Sequence, residues 1–266
     1  MSKRLTYSIA AILLILAVYG YDHFLNESHK KESIRIGSQA KSGTKSFFLP
    51  TSTTGQIVHH QYYSLSYSEP HEQAEWVAYE LKKEHLKDYD FERPYFEIDP
   101  AVKTGSAHWR NYKNSGYDRG HLCPAGDRDF SESAFKETFL TSNIAPQKHD
   151  FNAGIWNRLE QKVRYWASKH DGVFVITGGI LHDKLPSIGN ENVAIPQHFY
   201  KVVLDYNNGA PKMIGFLIPH KDTNLSLKRF EVTVDSIEAM TGINFFESLD
   251  DTIEAGLEST LNYSKW

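Results

Sequence analysis

The apolar positions of the chain fall mainly in short runs: IVHHQYYSLSYS from Ile57, GVFVITGGIL from Gly172, HFYKVVLDY from His198 and KMIGFLIPH from Lys212. Runs of this length, rich in Val, Ile, Tyr and Phe, predict strands. EWVAYELKKEHL from Glu75 fits a strand and a helix equally. Helical spacing is found in SESAFKETFL, where Ser131 is placed to cap and Phe135 and Phe139 are four apart, and in NAGIWNRLEQKVRYWASKH from Asn152. A later helix is expected to start near Asp235. Strands and helices do not alternate regularly and no internal repeat is present, so the pattern predicts the α+β class, not a βαβ array.

The first residues follow a different pattern. Lys3 and Arg4 precede an apolar run from Ile9 to Tyr19 that ends in AVYGYDHF. A run this short suits a signal-peptide core better than a membrane span, with Val18 and Gly20 as an imperfect small-residue cleavage pair. An uncleaved anchor with Tyr19 and Tyr21 at the interface is the rival reading. Either way residues 1–22 predict export, as a secreted, periplasmic or membrane-anchored protein. Residues 23–54, polar and rich in Ser and Lys without sustained periodicity, read as a linker, and residues 55–266 as one folded domain.

Composition narrows the partners. The chain has 266 residues, 40% of them hydrophobic, enough for one ample core. Its 29 Lys and Arg against 33 Asp and Glu give a net charge of -4, which excludes a protein that coats nucleic acid by bulk charge. The charge is unevenly spread. Between Ala101 and His121 stand Lys103, Arg110, Lys113 and Arg119 with only Asp118 opposing, whereas no Lys or Arg lies between Arg229 and Lys265. In that last segment Glu231, Asp235, Glu238, Glu247, Asp250, Asp251, Glu254 and Glu258 accumulate. The lone cysteine, Cys123, excludes an intrachain disulfide and a multi-thiolate zinc site and suits a small packing residue.

The stretch YDRGHLCPAGDRDF, Tyr117 to Phe130, carries the candidate chemistry. On an extended backbone Arg119 and His121 share one face and Asp118 and Gly120 the other. A permanent cation beside a titratable base suits phosphodiester hydrolysis, with a neutral imidazole taking a proton from water and a guanidinium holding phosphate oxygens. Taken alone, the stretch reads more readily as a turn with a hydrogen-bonded structural histidine. The next residues add Asn143, Gln147, Asn152 and Glu160, with few acidic groups to hold a metal. Magnesium tolerates sparse protein ligation where a substrate phosphate completes its shell, so one amide oxygen suffices. Asn152 also suits the N-cap of the helix it opens. Trp156 and Trp166, spaced with Leu159 and Val163, read as packing, and His59, His60, His108 and His220 have no partner motif.

DRGHLCPAGD at 118–127, FLTSNIAPQ at 139–147 and FNAGIWNRLEQKVR at 151–164, flanked by WVAYEL from Trp76, RPYFEIDP from Arg93 and FVITGGIL from Phe174, resemble in order the DNA/RNA non-specific endonucleases of the ββα-metal superfamily. The resemblance covers most of the chain after residue 55. It implies a mixed, largely antiparallel sheet carrying a ββα-metal (His-Me finger) motif, and magnesium as cofactor with manganese able to substitute. It further implies His121 as general base, Asn152 as the protein ligand of the metal, Arg119 as stabiliser of the phosphorane, Arg93 as a second phosphate-binding arginine, Glu160 acting through metal-bound water, and Asn143 supporting the geometry. Asp118, on the opposite strand face from His121, suits a structural acceptor. On a straight helix Glu160 lies about 12 Å beyond Asn152, too far for both to ligate one ion.

The expected activity is endonucleolytic hydrolysis of DNA and RNA with little sequence preference, leaving 5'-phosphates. Membrane anchoring through the N-terminal segment and a homodimer are both compatible with it. The alternatives are an inactive nucleic-acid-binding or uptake protein and a phosphodiesterase of small esters.

Overall fold

The computed structural model describes residues 48–206 and 211–266. The expected signal or anchor segment, 1–22, and residues 23–47 of the expected linker lie outside the described residues. No helix among the described residues is long and apolar enough to cross a membrane.

The strand-like runs form strands, and the ambiguous one is resolved as β. Strands β1 (Ile57–His59), β2 (Ser64–Ser68) and β3 (Gln73–Leu81) come first, and a short 3-10 turn, Lys83–His85, follows Leu81. Strands β4 (Asp118–His121) and β5 (Ile144–Gln147) make a separate antiparallel hairpin. Strand β6 (Val173–Gly179) returns to the main sheet. Strands β7 (Ser187–Ile188) and β8 (Val193–Ala194) form a small ribbon, and β9 (His198–Asp205), β10 (Lys212–Pro219) and β11 (Glu231–Val232) complete the set. The main sheet has seven strands in the order β1-β2-β3-β6-β9-β10-β11, antiparallel at every pairing. Its long members are central and its edges are stubs.

Alternation along β3 divides the core. Val77, Tyr79 and Leu81 point to one face, where helix α2 (Asn157–Lys169) packs Leu159, Val163, Trp166 and Ala167. Trp76 and Ala78 point to the other, where α3 (Val234–Thr241) and α4 (Asp251–Glu258) pack Val234, Ile237 and Leu257. Residues buried on both sheet faces explain why β6 and β9 read as continuous apolar runs. Helix α1 (Glu132–Glu137) starts where Ser131 predicts, its hydroxyl accepting from the Ala134 amide at 3.1 Å. Helix α3 starts one residue before Asp235.

The expected start of the domain at Gly55 is too late. Phe48 is buried and stacks on Phe174 at 4.1 Å between ring centroids. The Trp76 indole donates to the Thr51 carbonyl at 2.9 Å, and Glu75, buried in β3, accepts from the Thr53 amide at 3.0 Å and the Ser66 hydroxyl at 2.6 Å. Thr53 thus satisfies a buried carboxylate directly, while Ser52 and Thr54 bond the Ser66 hydroxyl that also donates to it, so residues 48–54 belong to the fold.

Candidate active site

The β4-β5 hairpin sets Arg119 opposite Pro146 and His121 opposite Ile144. Gly120 faces Ala145, and a Cβ there would lie 2.2 Å from the Gln147 side chain, which is itself fully buried. Only glycine admits this packing, which explains its place between the two functional residues. Past His121 the chain is held by Asn143. The Leu122 amide donates to the Asn143 carbonyl at 2.8 Å and the Cys123 amide to Oδ1 at 2.8 Å, while Nδ2 donates to the carbonyls of Cys123 and Thr138 at 3.0 and 2.9 Å. Cys123 is buried and burial pushes its thiol up to about 12, the state of an inert packing residue.

His121 sits between two phenyl rings, 5.5 Å from Phe96 and 5.1 Å, edge on, from Phe139. Each ring also carries a guanidinium: Arg119 stands 5.0 Å over Phe96 and Arg93 5.4 Å over Phe139. Backbone bonds from the Glu97 amide to the Phe139 carbonyl, 3.1 Å, and from the Thr141 amide to the Glu97 carbonyl, 2.8 Å, hold the Arg93 loop against this wall. Burial first, then the two arginines, pushes the imidazole down to about 3, so it is neutral at physiological pH. Its Nε2 is buried and has no hydrogen-bond partner among the described residues. An unpartnered buried nitrogen of this kind is what a base awaiting a proton requires.

The second half of the site is a short helical turn, His149–Phe151, that runs through a π-helical turn, Asn152–Trp156, into α2. Asn152 is therefore not the N-cap; Lys148 precedes the first turn and Asn152 has helical dihedrals, φ -61° and ψ -52°. Gly154, at φ -95° and ψ -109°, kinks the path, and a Cβ there would lie 2.2 Å from Asp222 Oδ1. The kink removes the basis for a straight-helix separation of Asn152 from Glu160. Asp118 Oδ2 accepts from Asn152 Nδ2 at 3.0 Å and from His149 Nδ1 at 2.9 Å. A carboxylate only accepts, so the amide nitrogen must face Asp118 and Asn152 Oδ1 is turned away from it. That oxygen makes no hydrogen bond among the described residues, and a hard cation such as magnesium fits it.

His220, which had no partner motif, anchors this turn. It donates from Nδ1 to the Pro196 carbonyl at 2.8 Å and accepts at Nε2 from the Lys148 amide at 2.7 Å. Phe151 packs edge on against it at 5.0 Å. No local signal could have found it, since all its partners are distant in sequence.

Glu160 keeps different company. Its charged neighbours are Lys201, Asp127 and Arg164, and burial pushes its carboxyl up to about 7. Lys201 is buried, donates to Thr177 Oγ1 at 2.6 Å and stands 4.9 Å over the Trp156 ring. Arg164 donates to Asp127 Oδ1 at 2.7 Å, and Tyr79 to Asp127 Oδ2 at 2.8 Å. Arg158 donates to the Thr223 and Leu225 carbonyls at 2.5 and 3.3 Å. The structure thus brings His121, Arg119 and Arg93 together around Phe96 and Phe139 with Asn143 behind them, joins Asn152 to Asp118 on the same strand β4, and places Glu160 in a buried charge cluster at the start of α2. Phe96, Phe139 and His220 are the residues that sequence reasoning missed.

The family model described as DNA/RNA non-specific endonuclease matches residues 41–252. Nuclease EXOG, mitochondrial, of Danio rerio is 36% identical over 202 residues, covering 70% of this chain and 59% of that protein. Endonuclease G, mitochondrial, of Homo sapiens is 32% identical over 209 residues, covering 73% of this chain and 70% of that protein. The chain spans about three fifths of the length of the EXOG relatives of Danio rerio and Homo sapiens, 59% and 63%. Among solved structures, the crystal structure of the EndoG/EndoGI complex, which concerns EndoG inhibition, superimposes with a TM-score of 0.71 at 29% identity, covering 78% of this chain and 91% of that one.

Proposed function

The chain belongs to the DNA/RNA non-specific endonuclease family, and from that premise we propose that it is an endonuclease hydrolysing phosphodiester bonds of DNA and RNA with little sequence preference, leaving 5'-phosphates. The observation that carries this reading is the neutral His121 with its unpartnered Nε2, flanked by two phenyl rings that each carry an arginine.

His121 takes the proton from the attacking water, because a neutral imidazole is already in the accepting state. Arg119 and Arg93 engage the phosphate oxygens, and their charge is most useful as negative charge builds in the transition state. Phe96 and Phe139 hold both guanidinium groups and shield the flanks of His121 from bulk solvent. Asp118 fixes the Asn152 amide with Oδ1 outward, where it would hold magnesium, for which manganese would substitute. Bound there, the cation supplies neutralisation of charge on the scissile phosphate and the leaving oxygen. Glu160 would act at one remove from the reacting atoms, through ordered water. Contacts confined to the backbone carry no base code, in keeping with weak sequence preference. Export, as a secreted, periplasmic or membrane-anchored protein, belongs to this reading through residues 1–22.

The test is incubation with plasmid DNA and with RNA, with and without EDTA, for wild type and His121→Ala. Wild type should cleave both and stop on chelation. His121→Ala should lose about 10² to 10⁴ in rate with DNA affinity nearly intact. Full activity in the mutant, or activity confined to small esters, would refute the assignment.

A further inference from the structure

The loop that carries Arg93 has a second side. Phe96 lies against His121 and Arg93 stands over Phe139, but Tyr95, between them in sequence, is 92% exposed, the most exposed large apolar side chain among the described residues. It has no ring partner there, whereas exposed Tyr89 pairs with Phe91 at 5.9 Å and Tyr165 lies 4.5 Å from the Lys162 ammonium. A single exposed ring is ordinary; the position of this one is not. Tyr95 borders a cavity of about 470 Å³ whose wall also includes Arg93 and Phe139, the guanidinium and ring that flank His121. Its backbone is fixed on both sides. Pro94 restricts the chain before it, and two residues after it Glu97 is bonded to Phe139 and Thr141.

We propose that Tyr95 is a stacking platform for the nucleobase beside the scissile phosphate, which makes this cavity a subsite for an unpaired nucleoside and single-stranded nucleic acid the preferred substrate. The proposal rests on the reading of the chain as a nuclease with Arg93 on the phosphate. A nucleoside attached to that phosphate is one sugar away from Arg93, on the side where Tyr95 stands. The charges of the cavity select a base over a second phosphate. Glu92, Glu97 and Glu132 line it along with Arg93 and Lys136, and Lys136 is already bound to Glu132 at 2.6 Å. Another phosphate would meet carboxylates, whereas a base is neutral and carries an N–H on its pairing edge that a carboxylate accepts. The volume falls within the roughly 300 to 1,000 Å³ of small-ligand sites. Every base has a face to stack, so such a platform holds substrate without reading its sequence. In a duplex the faces and pairing edges are taken, and a base must leave the stack to enter.

The experiment measures kcat and KM of the full chain and its Tyr95→Ala and Tyr95→Phe variants, with magnesium, on a fluorescent single-stranded oligonucleotide and on the same strand fully paired. Wild type should favour the single strand at least about fivefold in kcat/KM. Tyr95→Ala should lose about tenfold on the single strand, mainly through KM, and less than about twofold on the duplex, with an unchanged melting temperature. Tyr95→Phe, which keeps the ring, should behave as wild type. Binding of the single strand by His121→Ala, with and without Tyr95→Ala, is then followed against salt. A stacked base releases no counterion, so the double variant should bind about tenfold more weakly with the same logarithmic slope. An equal loss on both substrates with a flatter slope would make Tyr95 a support for Arg93 and overturn the proposal. A Tyr95→Ala enzyme that matches wild type on the single strand would overturn it too, leaving the nuclease reading intact. Failure of wild type to cut either substrate would strike down that reading and the stacking subsite with it.

Discussion

A histidine ringed by phenylalanines and arginines works over a different pH range from a free one. The folded-state value of His121, about 3, lies below the ordinary 6.5, so the neutral, proton-accepting form persists well into acid. Between pH 8 and 5 the rate on a short substrate should therefore show no fall with a midpoint near 6.5. Arg93→Ala removes one of the two like charges while the burial stays. Its acid limb should move upward yet remain below 6.5, as initial-rate profiles would show; a wild-type midpoint at 6.5 would contradict the site described. Arg119 and His121 were legible in the sequence because alternation sets both on one strand face and the ordered motifs around them resemble the family. Phe96 and Phe139 were not. Their role depends on a loop and a helix end meeting the hairpin, and an apolar residue bears no chemical label.

At the level of elements, α1 and the later helix near Asp235 could be read from period and capping and the hairpin only from the family resemblance, while the entry to α2 could not be read. The pattern from Asn152 is helical on both sides of Gly154, and only the approach of Asp222 to that glycine reveals the kink. The turn bearing Asn152 is held instead by His220 from the end of β10. Only the neutral tautomer both donates from Nδ1 and accepts at Nε2, and His220 is held down at about 4, by burial first. Because this folded value lies below 6.5, His220 contributes stability that is fully present above pH 6.5 and is lost as pH falls toward 4. His220→Ala leaves the Lys148 amide without its partner and should cost roughly tenfold in turnover, with a higher magnesium requirement. His220→Gln, which can donate and accept, should recover part of the rate and flatten the loss of stability between pH 6.5 and 4, measured by denaturant titration.

For the whole molecule, composition misplaced one boundary because the hydroxyls of residues 51–54 are taken up inside the fold, on buried Glu75 from Thr53, on Ser66 from Ser52 and Thr54, and on Asn244 from Thr51. A chain beginning at residue 55 should fold and cut but melt roughly 3 to 12 °C below one beginning at residue 48, the loss expected from leaving Phe48 out of the core. Equal melting temperatures would return residues 48–54 to the linker. Arg158 and Arg164 are bound to carbonyls and to Asp127, so among the basic residues near the site motifs in sequence Arg93, Lys103, Arg110, Lys113 and Arg119 are left to meet phosphates. Duplex binding by His121→Ala should accordingly depend weakly on salt, with a logarithmic slope on the order of -2 to -4; a slope near -8 would show that more cations meet phosphates. The sheet itself bears on how copies of the chain tolerate crowding. Its outermost strands, β1 and β11, are three and two residues long. Beside β11, the Met213 carbonyl of β10 accepts from Asn262 Nδ2 at 3.3 Å, and β10 ends in Pro219. A neighbouring molecule seeking to extend the ladder meets little open backbone, so the short edges blunt association by strand addition, the first step toward fibrils.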